Sequence, residues 1–70
     1  MDDIVGVVGV GNMGFGISSN LLKAGFKVFV YDIRTEPLEA IQKKGAVVAS
    51  SVKELARVCP LVFSVLLNYE

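Results

Sequence analysis

Seventy residues and 7.5 kDa leave room for at most one small domain, because domains usually run ~100–200 residues. A content of 53% hydrophobic and 20% charged residues, with two prolines, excludes intrinsic disorder. Seven basic residues against seven acidic ones give zero net charge, which removes the electrostatic case for nucleic acid or an anionic membrane.

The chain opens on Ile4-Val5-Gly6-Val7-Val8-Gly9, an apolar, β-branched run of the kind that forms a strand buried on both faces. It ends in Gly9-Val10-Gly11-Asn12-Met13-Gly14. Apolar or small residues then recur at Gly14, Ile17, Ser18, Leu21, Leu22 and Gly25, the stripe of a helix packed on a sheet. Gly25 stands where a left-handed cap is wanted, and Lys23 complements the helix dipole.

Lys27-Val28-Phe29-Val30-Tyr31-Asp32 predicts a second strand, closed by its acid. Thr35-Glu36-Pro37 starts a second helix, with Leu38 and Ile41 facing inward and Lys43, Lys44 and Gly45 ending it. Ala46-Val47-Val48-Ala49 predicts a brief third strand. Ser51-Val52-Lys53-Glu54 has the pattern of a capping box and opens a short helix through Leu55 and Ala56. Pro60 forbids continuation of that helix and is tolerated as a first strand residue, so Leu61 to Leu67 is the expected fourth strand.

The order β-α-β-α-β-α-β predicts an α/β fold with a parallel, Rossmann-type sheet, residues 1–70 forming the N-terminal part of a doubly wound domain. Within it, Gly9, Gly11 and Gly14 sit between the first strand and the first helix. Gly9 permits a tight turn, Gly11 lets a pyrophosphate approach the backbone, and Gly14 allows close packing. Asp32, eighteen positions after Gly14, is placed to accept hydrogen bonds from an adenosine ribose. The expected cofactor is NAD, because a carboxylate repels the 2′-phosphate of NADP. Arg34 keeps NADP open, since a nearby arginine can accommodate that phosphate; its plainer role is a solvated loop charge.

Cys59 cannot form an internal disulfide and there is no histidine, which excludes a Cys/His metal site and the commonest acid–base group. A buried, inert thiol is the expectation for Cys59. A chain this short buries only ~60% of its unfolded surface, so its apolar richness points to an oligomer or to a larger polypeptide. No run reaches the ~18 apolar residues of a membrane span. The acidic start Met1-Asp2-Asp3 is wrong for a signal peptide. A cytoplasmic protein is expected, or one of an organelle matrix after loss of a transit peptide.

Together these residues resemble the N-terminal part of the β-hydroxyacid dehydrogenase family, which includes 3-hydroxyisobutyrate dehydrogenase. The likeness rests on residues 9–14, on Asn20-Leu21-Leu22-Lys23-Ala24-Gly25-Phe26, on Val30-Tyr31-Asp32, and on Gly45-Ala46 with Ser51-Val52-Lys53-Glu54-Leu55-Ala56. Gly14-Phe15-Gly16-Ile17, Asp32-Ile33-Arg34 and Ser64-Val65-Leu66-Leu67-Asn68 are most similar to the branch containing L-threonate dehydrogenases. Two departures stand out. Leu66-Leu67 replaces the usual Leu-Pro or Met-Pro pair, and Cys59-Pro60 replaces Asp-Val.

The resemblance implies hydride transfer from a 3-hydroxy acid to NAD or NADP in a homo-oligomeric full-length enzyme. It places Gly9, Val10, Gly11, Asn12, Met13, Gly14, Asp32, Ile33 and Arg34 at the cofactor, with Leu66, Leu67 and Asn68 toward its nicotinamide half. The family's acid–base lysine and its carboxylate-binding segment lie beyond Glu70, so the substrate is held by downstream segments and no catalytic residue is assigned here. This chain alone is expected to be inactive. The alternative is a non-catalytic dinucleotide-sensing module, which the capping-box segment and Met13 disfavour.

Overall fold

The computed structural model describes residues 3–65. Four strands and three helices alternate in the expected order: β1 (Ile4–Val8), α1 (Asn12–Lys23), β2 (Lys27–Tyr31), α2 (Thr35–Lys43), β3 (Val47–Val48), α3 (Val52–Val58) and β4 (Leu61–Ser64). The strands form one parallel sheet in the order β3-β2-β1-β4. The chain therefore builds outward from β1 on one side, then returns to place β4 on the other. That reversal puts a crevice beyond the carboxyl ends of β1 and β4, where open α/β sheets bind ligands.

Strand alternation divides the interior into two layers. Val7, Val28 and Val30 point to one face and join Val10, Ile41 and Ala46, covered by side chains of α1 and α2. Ile4, Val8, Phe29 and Tyr31 point to the other face and pack with Ala49, Leu55 and Cys59 around α3. Gly6 sits mid-strand on this second face, and a Cβ there would collide with the Leu55 side chain and stand 3.0 Å from Cys59 Sγ. A missing side chain in β1 thus lets α3 lie close to the sheet. Cys59 is buried, and burial pushes its thiol above the ordinary range, in keeping with an inert packing role.

The helix ends carry the expected signals, with one shift. Gly25 has φ +95°, the left-handed conformation a cap demands. Ser51 Oγ accepts from the Glu54 N–H at 3.0 Å, as a capping box requires. The reciprocal bond differs: Glu54 Oε1 accepts from the backbone N–H of Ser50 at 2.8 Å and from its hydroxyl at 2.6 Å, one residue earlier than the pattern predicts. Two donors on Ser50 outcompete one on Ser51.

The fourth strand departs from the buried pattern of β1. Among the described residues it pairs only with β1, and Leu61, Val62 and Phe63 remain 53%, 36% and 40% exposed. The strand ends at Ser64, short of the predicted Leu67; the Val65 N–H still donates to the Val8 carbonyl at 2.7 Å, and Leu66 and Leu67 lie outside the described residues. No helix among the described residues is long and apolar enough to cross a membrane.

Candidate dinucleotide site

The glycine loop leaves β1 at its carboxyl end. Gly9 turns with φ +95° and donates its N–H to the Tyr31 carbonyl at 2.8 Å, tying the loop to the end of β2. Val10 is fully buried beneath it. Gly11 is the N-cap of α1 with extended backbone, and no side chain caps the helix. The first turn also holds no acid. The N–H groups of that turn lack intrahelical partners by helix geometry, so they and the dipole offer a cradle for a negatively charged group.

Gly14 locks this cradle. A Cβ there would overlap the Gly9 carbonyl oxygen and meet Val65 Cβ at 3.8 Å. Its role is narrower than close packing of helix on strand: it lets the first turn of α1 nest against the loop's own backbone. Asn12 and Met13 share that turn and are exposed, Met13 at 64%.

Asp32, just past β2, is drawn into the same structure. Its Oδ2 accepts from the Val10 N–H at 2.6 Å, and its Oδ1 accepts from the Arg34 N–H at 2.9 Å. The Arg34 guanidinium adds a fork, Nε to Oδ1 at 3.2 Å and Nη2 to Oδ2 at 3.1 Å. These donors, led by the guanidinium, outweigh the effect of burial and hold the Asp32 carboxyl at about 2. Arg34 is therefore not the solvated loop charge expected above; it is exposed yet clamped on Asp32. The signal was in the spacing, since an aspartate side chain commonly accepts from the backbone two residues on, as Asp32 does from the Arg34 N–H. The chain bends at Ile33, and Arg34 follows with φ −97° and ψ 140°.

Val10, Gly11, Asp32 and Arg34 are thus brought together, and Gly9 and Gly14 shape the loop beneath them. Ile33 is 88% exposed beside Asp32. Leu66, Leu67 and Asn68 lie outside the described residues. Among the described residues no cluster of His, Cys, Asp or Glu could hold a metal. A carboxylate held ionised, beside free backbone donors over a glycine cradle, suits a diphosphate and a sugar diol. Residues present and group expected fit.

The family model for the NAD binding domain of 6-phosphogluconate dehydrogenase matches residues 4–70. L-threonate dehydrogenase of Cupriavidus necator is 41% identical over 64 residues, which is 91% of this chain and 22% of the relative. Mitochondrial 3-hydroxyisobutyrate dehydrogenase of Drosophila melanogaster is 42% identical over 64 residues, 91% of the chain and 20% of the relative. Among solved structures, 3-hydroxyisobutyrate dehydrogenase of Mycobacterium tuberculosis superposes with a TM-score of 0.88 at 29% identity, over 94% of this chain and 23% of that one. The chain spans about a fifth of the length of these relatives.

Proposed function

This chain belongs to the family of the NAD binding domain of 6-phosphogluconate dehydrogenase, and on that footing we propose that it is the cofactor-holding part of a dehydrogenase acting on a 3-hydroxy acid. The observation that carries the reading is the 2.6 Å bond from Val10 to Asp32, which joins a ribose acceptor to an uncapped helix N-terminus. Bound NAD supplies the hydride acceptor.

The chain's own residues bind and orient. Gly9 to Gly14 hold the diphosphate, with Gly11 giving it close approach and Asn12, Met13 and Gly14 presenting N–H groups. Asp32 accepts the ribose hydroxyls, flanked by Ile33 and Arg34. The resemblance to hydroxyacid dehydrogenases assigns Leu66, Leu67 and Asn68 to the nicotinamide half. NAD is preferred to NADP because an ionised Asp32 repels a 2′-phosphate. Residues 1–70 form the N-terminal part of the dinucleotide domain, and the substrate, a short hydroxy acid, is held by further segments in a homo-oligomer. Such an enzyme works in the cytoplasm or an organelle matrix; the name of the Drosophila relative carries the second location. No role in binding nucleic acid or membrane is proposed, the charge balance being zero.

NMR titration of the purified chain with NAD tests the binding reading. Amide shifts concentrated at residues 9–14 and at Asp32 support it; their absence at millimolar NAD overturns it. The chain by itself is expected to reduce no NAD with any 3-hydroxy acid. A glycine-rich carboxylate loop and a lysine-bearing helix encoded beyond Glu70 distinguish the dehydrogenase from a sensing module.

A further inference from the structure

Resting on the dinucleotide reading above, we propose that Arg34 is an internal stand-in for the adenosine ribose, occupying the acceptor positions on Asp32 that the ribose diol needs. An ionised carboxylate offers about four acceptor positions, two on each oxygen. All four are filled here, and they are filled in two different ways. Oδ1 takes the Arg34 backbone N–H at 2.9 Å and its Nε at 3.2 Å. Oδ2 takes the Val10 N–H at 2.6 Å and Arg34 Nη2 at 3.1 Å.

The two backbone donors fix the orientation of the carboxylate whatever the Arg34 side chain does. The guanidinium then supplies one donor to each oxygen, side by side. A vicinal diol presents its two O–H donors in that same paired arrangement. Guanidinium and diol are therefore mutually exclusive on Asp32, and the pair acts as a gate. Arg34 Nη2 also lies 3.5 Å from the position a Cβ on Gly11 would take, so the closed guanidinium reaches over the glycine loop.

Exposure explains why an arginine can serve in this way. The Asp32 side chain is only 6% exposed with the guanidinium in place, so in the free protein Arg34 covers the carboxylate and fills the acceptor positions that the backbone leaves open. The Arg34 side chain is 57% exposed, so leaving Asp32 moves it into solvent and not into the core. Once displaced, the guanidinium stays tethered beside the ribose, where its positive charge would attract the 2′-phosphate that Asp32 repels. The gate thus keeps the free site satisfied while taxing the affinity of every diol-bearing ligand.

The test uses AMP and its 2′,3′-dideoxy counterpart as probes, with Arg34→Met and Arg34→Lys variants of the full chain followed by NMR. In the parent chain AMP shifts the Arg34 Nε–H signal toward that of a solvated arginine, and the dideoxy probe leaves it in place. The ratio of AMP to dideoxy affinity rises roughly two- to fivefold in both variants, the range of an exposed ion pair. Taking a ratio cancels the loss of general attraction between the cation and the phosphate. AMP binding with an unmoved Nε–H, or an unchanged ratio in both variants, overturns the gate alone. Absence of any shift at residues 9–14 with either probe overturns the dinucleotide reading as well.

Discussion

The backbone N–H of Val10 donates to Asp32 Oδ2 across 2.6 Å, joining residues 22 positions apart. Val10 is fully buried, and a buried N–H without a partner is costly. The glycine loop therefore depends on Asp32 for its own hydrogen bonding. The acid that is expected to read the ribose is also the acid that closes the loop.

Asp32→Ala removes both roles. The orphaned Val10 N–H is expected to cost about 1–3 kcal/mol of stability, measurable by chemical denaturation. In the longer enzyme the ratio of NAD to NADP affinity should fall, since no carboxylate then repels the 2′-phosphate. An unchanged ratio in paired titrations would mean that Asp32 does not read the ribose.

Stability should erode in acid through the same residue. The carboxyl ordinarily titrates at 3.8 and is held at about 2 in the fold, so the folded state binds fewer protons in between. Its stabilising contribution is complete above about pH 5 and is lost as pH falls from about 4 toward 2. Glu54, also lowered by its bonds to Ser50, acts in the same direction. Asp32→Asn isolates the first effect: the stability gap between parent and variant should narrow over that acid window. A gap independent of pH would contradict the assignment.

Gly14 and Gly16 lie two residues apart in α1 and should respond oppositely to alanine. At Gly14 the added methyl collides with the Gly9 carbonyl, for an expected loss of about 1–3 kcal/mol and of NAD-induced shifts in the loop. At Gly16 nothing lies within 4 Å of the added Cβ, so helix propensity predicts a gain of about 0.5–1 kcal/mol. Thermal unfolding of the two variants decides; equal effects would mean that α1 does not nest on the loop.

Ser18 is fully buried in α1 and its Oγ has no hydrogen-bond partner among the described residues. Ser18→Ala keeps the small side chain and removes the desolvated hydroxyl. The variant is expected to be as stable as the parent or more stable by about 1 kcal/mol. A clear loss in denaturant midpoint would show that the hydroxyl bonds to something in solution.

Much of this molecule was legible in the chain because its signals are local. Apolar runs of strand length, the helical stripe in α1 and the Ser51–Glu54 cap depend on residues a few positions apart, and the elements appear in the predicted order. The glycine fingerprint and Asp32 were legible for the same reason, as types at fixed spacing. Gly6 was not singled out, because only the arrival of Leu55 from α3 gives its missing side chain a meaning.

By itself the sequence determined a parallel α/β sheet, the glycine loop and the acid that follows it. Length began as a bound on domain size and became a measure of what is present: a cofactor cradle about a fifth as long as its relatives. Only the tertiary structure decided how the acid is held. Val10 reaches Asp32 because β1 and β2 are neighbours in the sheet, and Arg34 forks onto the same carboxylate because the chain bends at Ile33. Hydrogen bonds between separate elements depend on where strands come to rest, and local spacing carries no record of that.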